Sequence, residues 1–142
     1  MSTVFDDLSF NNLLPYVQWQ TLKFPGGASF AESGAEDDPD KDGLINLIEY
    51  AFGSEPMLPN PSPAVSGTTT VGGETFHTLT VPKNPDATDS VVSVEAASSL
   101  TASDWSANGL VIVTDSATLL TVRDSQPMSA QSRRFFRARV TR

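Results

Sequence analysis

Asp38-Pro39-Asp40-Lys41-Asp42-Gly43-Leu44-Ile45-Asn46-Leu47-Ile48-Glu49 is the stretch from which the rest of the chain is read. It fits the calcium-loop pattern D-x-[DN]-x-[DN]-G-x5-E at every constrained position. A hard cation such as calcium takes oxygen ligands, and this spacing wraps them around a point. Asp38, Asp40 and Asp42 are expected to offer one carboxylate oxygen each from loop positions 1, 3 and 5. Gly43 permits the sharp reversal at position 6, where a β-carbon resists a positive φ. Leu44 is expected to give its backbone carbonyl, Asn46 to act directly or through a water, and Glu49 to close the shell with both oxygens. A solvated acidic turn is the plain alternative, but it leaves four mutually repelling carboxylates within twelve residues unexplained. Magnesium demands a stricter octahedron, and zinc lacks its donors in a chain with no Cys and one His, so Ca2+ is the expected ion.

Charge follows the loop. Residues 1–60 carry ten acids against two lysines, whereas residues 61–142 carry seven of each sign, so the whole net charge of −8 lies in the first part. Such a chain is a poor partner for nucleic acid. Its arginines Arg133, Arg134, Arg137, Arg139 and Arg142 are expected to form a solvated face or to pair with the acidic first part. The 142 residues suffice for one ordinary domain, or for a small unit joined to a larger one. Absence of cysteine excludes a disulfide framework and a thiol nucleophile. No apolar run is long enough to span a membrane, and the N-terminus lacks the features of a secretion signal, which an exported form would have lost or would carry on a longer polypeptide.

Outward from the loop, the period of the sequence changes. Residues 1–12 read as a polar arm whose Val4, Phe5, Leu8 and Phe10 could add to a sheet edge of another subunit. Residues 13–56 form a helical region with the calcium loop. Leu13 to Phe24 is expected to be helical, with Pro15 in its first turn and Val17, Trp19, Leu22 and Phe24 as apolar surface. A short helical turn is expected near Ser29 to Ser33 with Phe30 inward. After the loop a helix runs from about Asn46 to Phe52, with Ile45, Ile48 and Phe52 on one face and Gly53 as the C′ cap. Residues 57–67 are an extended connector, since Pro56, Pro59, Pro61 and Pro63 forbid a helix. Residues 68–142 then alternate with period two over Thr75–Val81, Ser90–Ala96, Leu110–Thr114, Ala117–Arg123 and Arg134–Thr141, with Thr68–Val71 as a short edge strand. The expected fold is therefore mainly β with a small N-terminal α region. An antiparallel β-sandwich of five to six strands follows a helix, a single EF-hand-like calcium loop and a short helix.

Three segments carry a family resemblance: Asp38 through Pro56, Val94 through Trp105, and Arg134 through Val140. Together they resemble a module seen near the C-termini of large secreted proteins of Verrucomicrobia-type and Planctomycetes-type bacteria. The loop itself is similar to those of dockerins and thrombospondin type 3 repeats. The resemblance implies an extracellular or cell-surface, calcium-stabilised, non-catalytic appendage, with ligand roles at Asp38, Asp40, Asp42, Leu44, Asn46 and Glu49. Regulatory EF-hands and dockerins pair two loops, and no second loop occurs here, so a structural ion is expected rather than a sensor. The implied work is attachment or self-assembly.

Two rival functions leave traces in the sequence. A hydrolase would be centred on His77, the sole histidine, but no G-x-S-x-G elbow marks a nucleophile. A carbohydrate-binding module appended to a secreted enzyme would expose Tyr16, Trp19, Tyr50 or Trp105 as stacking platforms, Trp105 first because its loop is rich in Ser and Asn.

Overall fold

The computed structural model describes residues 14–101, 104–131 and 133–142. The arm expected over residues 1–12 lies outside them. Within the described residues the chain is mainly β, with two short α-helices and antiparallel sheets. Two compact units emerge: one comprises the described residues up to Ser62 with Asn84–Ser90 and Arg142, the other the described residues of Pro63–Lys83 and Val91–Thr141. The sequence reading separated the helical region 13–56 from the β region 68–142 by the Pro-rich connector 57–67. Asn84–Ser90, between two strands in the chain, has no such compositional mark. It joins the first unit through hydrogen bonds from the Asn84 amide to the Ala51 carbonyl (2.8 Å) and from Asn84 Nδ2 to the Tyr50 carbonyl (3.0 Å).

In the first unit, α1 (Pro15–Lys23) opens on Pro15, whose missing N–H is no loss in a first turn. Its buried face is Tyr16, Trp19 and Gln20, at spacings of three and four. This corrects the expected stripe, because Leu22 is exposed and Val17 only half-buried. Aromatic burial wins. Trp19 meets Tyr16, Phe24 and Tyr50 at ring-centroid distances of 5.4, 5.7 and 5.5 Å, and Phe24 stacks on Phe30 at 5.4 Å. A 3-10 turn, Gly27–Ser29, precedes Phe30. Helix α2 (Asn46–Phe52) ends at Gly53 with φ 83°, and the amides of Gly53 and Ser54 both donate to the Glu49 carbonyl. Its most buried side chains are Asn46, Glu49 and Tyr50 rather than Ile45 and Ile48, which are half-buried. No described helix is long and apolar enough to cross a membrane.

The second unit holds β1 (Val65–Val71), β2 (Glu74–Pro82), β3 (Val91–Ala97), β4 (Leu110–Asp115), β5 (Leu119–Asp124) and β6 (Phe135–Thr141). One antiparallel sheet has the order β1-β2-β5-β4 and the other pairs β3 with β6. Strand β1 is longer than the expected Thr68–Val71, because Val65, Ser66 and Gly67 extend the ladder opposite Thr80, Leu79 and Thr78. Gly72 and Gly73, with φ of 59° and 83°, make the two-residue hairpin turn that follows.

Alternation sorts β2, β3 and β5. Leu79 and Val81 of β2, Leu120 and Val122 of β5, and Val94 and Ala96 of β3 are buried. A cleft of about 190 Å³ is lined jointly by β3, β4 and β5, so the apolar sheet faces oppose each other as in a sandwich. The arginines pair mainly inside this unit. Arg137 and Arg139 reach Glu95 at 2.9 and 3.6 Å, and Arg134 reaches the buried Asp124 at 2.8 Å. Arg142 instead lies over the Tyr16 ring at 4.3 Å from its centroid.

Candidate metal centre

Residues 37–46 close on themselves before any ion is considered. The Asn46 amide donates to the Asp37 carbonyl at 2.8 Å, and the Leu47 amide to the Ala35 carbonyl at 3.0 Å. Between these ties the aspartates turn the chain by capturing nearby amides. Asp38 Oδ2 accepts from Gly43 N (3.0 Å), Asp40 Oδ1 from Asp42 N (3.3 Å), and Asp42 Oδ1 from Leu44 N (2.9 Å). Gly43 has φ 93°, as its loop position requires, and Lys41 also takes a left-handed φ of 61°. The loop is anchored on α1, where Tyr16 Oη and Gln20 Nε2 both donate to the Ser33 carbonyl, at 3.0 and 2.8 Å.

This folding gathers Asp38, Asp40 and Asp42 so that one oxygen from each lies within 4.8 Å of the others. The cluster could hold a metal ion. Glu49 is outside that tight set, yet its carboxyl is pushed up to about 8, first by burial and then by the charges of Asp40, Asp42 and Asp38. Asp40 is raised by burial and by its acidic neighbours. For Asp38 burial is the largest effect and pushes upward, but donors led by the Gly43 amide leave it below the usual carboxylate range.

The donor inventory tests whether a cation fits. Six buried side-chain N or O atoms have neither a hydrogen-bond nor an ion-pair partner among the described residues. Five of these belong to the loop: Asp38 Oδ1, Asp40 Oδ2, Asn46 Oδ1 and both oxygens of Glu49. All five are acceptors. Asn46 and Glu49 are each 0% exposed, so water cannot be assumed to satisfy them. The Asn46 orientation is fixed chemically, because its Nδ2 donates to the carbonyls of Glu32 (2.8 Å) and Gly34 (2.9 Å). A flipped amide would set oxygen against oxygen at both contacts. The donor-free Oδ1 is therefore a consequence of the fold.

Asp42 differs, since its Oδ2 accepts from the Asn60 amide at 3.0 Å, leaving each of its oxygens one further lone pair. Leu44 sits between Asp42 and α2, and no described backbone amide outside the helices and strands donates to its carbonyl. Every expected ligand residue thus belongs to one small loop and the first turn of α2. Sequence reasoning missed the supports: Glu32, Gly34 and Ser33 act through carbonyls and Asn60 through its amide. Backbone groups carry no side-chain signature.

The rival sites look different. His77 lies in β2 opposite Thr68, with Nε2 buried and without a hydrogen-bond partner among the described residues. Tyr16, Trp19 and Tyr50 are core residues, and the half-buried Trp105 has the Arg137 guanidinium over its ring at 4.6 Å from the centroid. Comparison of the chain with protein-family models, curated proteins and solved structures gave no match.

Proposed function

We propose that this chain is a non-catalytic, extracellular structural module that binds one Ca2+ and serves surface attachment or self-assembly. One observation carries the calcium reading: Glu49 is fully buried beside three aspartates, with neither carboxylate oxygen given a donor. A buried, unpaired carboxylate is costly unless a cation neutralises it. Asp38, Asp40 and Asp42 would supply single carboxylate oxygens, Leu44 its carbonyl, Asn46 its Oδ1, and Glu49 two oxygens. An all-oxygen donor set suits a hard divalent ion, and the carboxylate count favours calcium over a strongly hydrated magnesium.

The ion's work in this reading is structural. It would fasten the acidic loop to α2, whose Tyr50 sits in the aromatic core with Tyr16 and Trp19. A module stabilised this way suits surroundings in which calcium is abundant, which supports an extracellular setting. Attachment or assembly, rather than chemistry, agrees with core aromatics and with a histidine that meets neither a nucleophile nor an acid among its described hydrogen bonds.

Calorimetric titration with Ca2+ and Mg2+, paired with thermal melts in chelator, tests the reading. One site, with calcium preferred, is expected. At a hundredfold excess of calcium over its dissociation constant the ion adds about 2.7 kcal/mol, a visible shift in melting temperature. Identical melts in calcium and in chelator would overturn it.

A further inference from the structure

We propose that two copies of this chain pair through their β4 strands, antiparallel and about a two-fold axis, joining two four-stranded sheets into one continuous sheet. This deepens the assembly half of the reading above and is independent of its calcium half.

Strand β4 is an edge, with β5 on one side only. Among the described residues, none of Val111–Asp115 makes a backbone bond outside the β4–β5 pairing. Edges of this kind are templates for another strand, and monomeric proteins usually blunt them with lysine, proline, an inward charge or a β-bulge. Leu110-Val111-Ile112-Val113-Thr114 contains no lysine, proline or charge, and Val111, Ile112 and Val113 stay exposed despite one bulge. Its one irregularity is a bulge at Val113, which leaves that side chain 51% exposed.

Ile112 is the sharper anomaly. It lies opposite Val122, which is 4% exposed on the core-facing side, yet Ile112 itself is 63% exposed. The cleft lined by Val92, Val94, Leu110, Ile112, Leu120 and Val122 reaches this edge, so the sandwich is incompletely covered there. A strand laid along β4 would cover Ile112 and complete the ladder.

Charge and chemistry favour a second copy as the occupant. Antiparallel pairing centred on Ile112 sets Asp115 of each copy across from Gly109, so the strand's one charged residue meets no like charge. Asp115 is in any case held by Lys83 at 2.8 Å. The β unit itself, Pro63–Lys83 with Val91–Thr141, holds five acids and six bases, so copies of this unit repel each other little. The opposite edge, β1, reads Val-Ser-Gly-Thr-Thr-Thr-Val and offers hydroxyls where β4 offers an apolar strip. Pairing β4 with β4 buries that strip on both sides, as an isologous contact does. The contact is one strand wide, so the dimer is expected to be weak.

Sedimentation velocity on the full chain, from about 10 µM to about 1 mM, reads the association directly. A monomer–dimer equilibrium is expected. Val113→Lys should weaken it at least tenfold, and Ile112→Thr, which keeps a β-branched residue, should weaken it with unchanged circular dichroism. Val71→Lys, at a β1-edge position of matching 49% exposure, should leave it intact. A chain monomeric throughout, equal losses in the β1 and β4 variants, or an open ladder of oligomers would each overturn the proposal. Calcium titration of the same samples separates this outcome from failure of the ion reading.

Discussion

The side-chain amide of Asn46 donates to the backbone carbonyl of Glu32 at 2.8 Å, across fourteen residues of chain. With its second bond, to Gly34, this contact holds the first residue of α2 against the segment entering the loop. Asn46 therefore braces the loop through Nδ2, while its Oδ1 has no donor among the described residues; in the proposed reading that oxygen serves the ion. The brace is formed by protein groups alone.

Asn46→Ala should destabilise the protein in chelator as well as in calcium. Two part-buried hydrogen bonds, to the carbonyls of the exposed residues Glu32 and Gly34, are lost, and a cost of about 1–3 kcal/mol is expected, at roughly 0.5–1.5 kcal/mol for each. Urea unfolding followed by circular dichroism measures it. A loss confined to the calcium-loaded form would mean that Asn46 is a ligand only.

Glu49→Gln should act with opposite signs in the two states. Without the ion it removes the cost of taking up a proton on folding, or above about pH 8 of holding a buried charge, so the melt in chelator should stay level or rise. With calcium it removes the closing carboxylate, and affinity should fall by at least tenfold. Paired melts and titrations on the one variant read both effects.

Stability without the ion should depend on pH through the same residue. The Glu49 carboxyl is raised from 4.5 to about 8, so between those values the folded chain retains a proton that the unfolded chain has released. The favourable contribution is complete below about 4.5 and is lost as pH rises through about 8. Melts in chelator should therefore fall across this window. Calcium affinity should rise across it, with proton release on binding, because ion and proton compete for the carboxylate. Buffers of different ionisation enthalpy in the titration would detect that proton.

Gly43→Ala is a test of backbone strain alone. A β-carbon there meets nothing within 4 Å, but φ is 93°. A cost of about 1 kcal/mol with weakened ion binding is expected, without local repacking.

Arg134→Ala should be among the more damaging changes in the β unit. It strands Asp124, which is nearly inaccessible and ion-paired with Arg134 at 2.8 Å. Breaking a buried pair from one side costs about 3–5 kcal/mol. Arg134→Ala with Asp124→Asn should recover much of it, and a double-mutant cycle in urea gives the coupling.

What the sequence determined was everything set by spacing along the chain. The positions of the loop aspartates, the glycine reversals at Gly43 and Gly53, the Gly72-Gly73 hairpin and the period-two strands follow from local geometry, which neighbours impose within a few residues. Tertiary structure decided which of several eligible groups is buried and what it meets. The face of α1 went to Tyr16, Trp19 and Gln20 because the rings of Phe24 and Tyr50 and the Ser33 carbonyl awaited them, and Leu22 was left outside. It also decided that the Asn60 amide supports Asp42, that Asp124 is buried with Arg134, and that Ile112 stays uncovered at its sheet edge. Burial is a property of two surfaces, and one chain segment read alone supplies only the first.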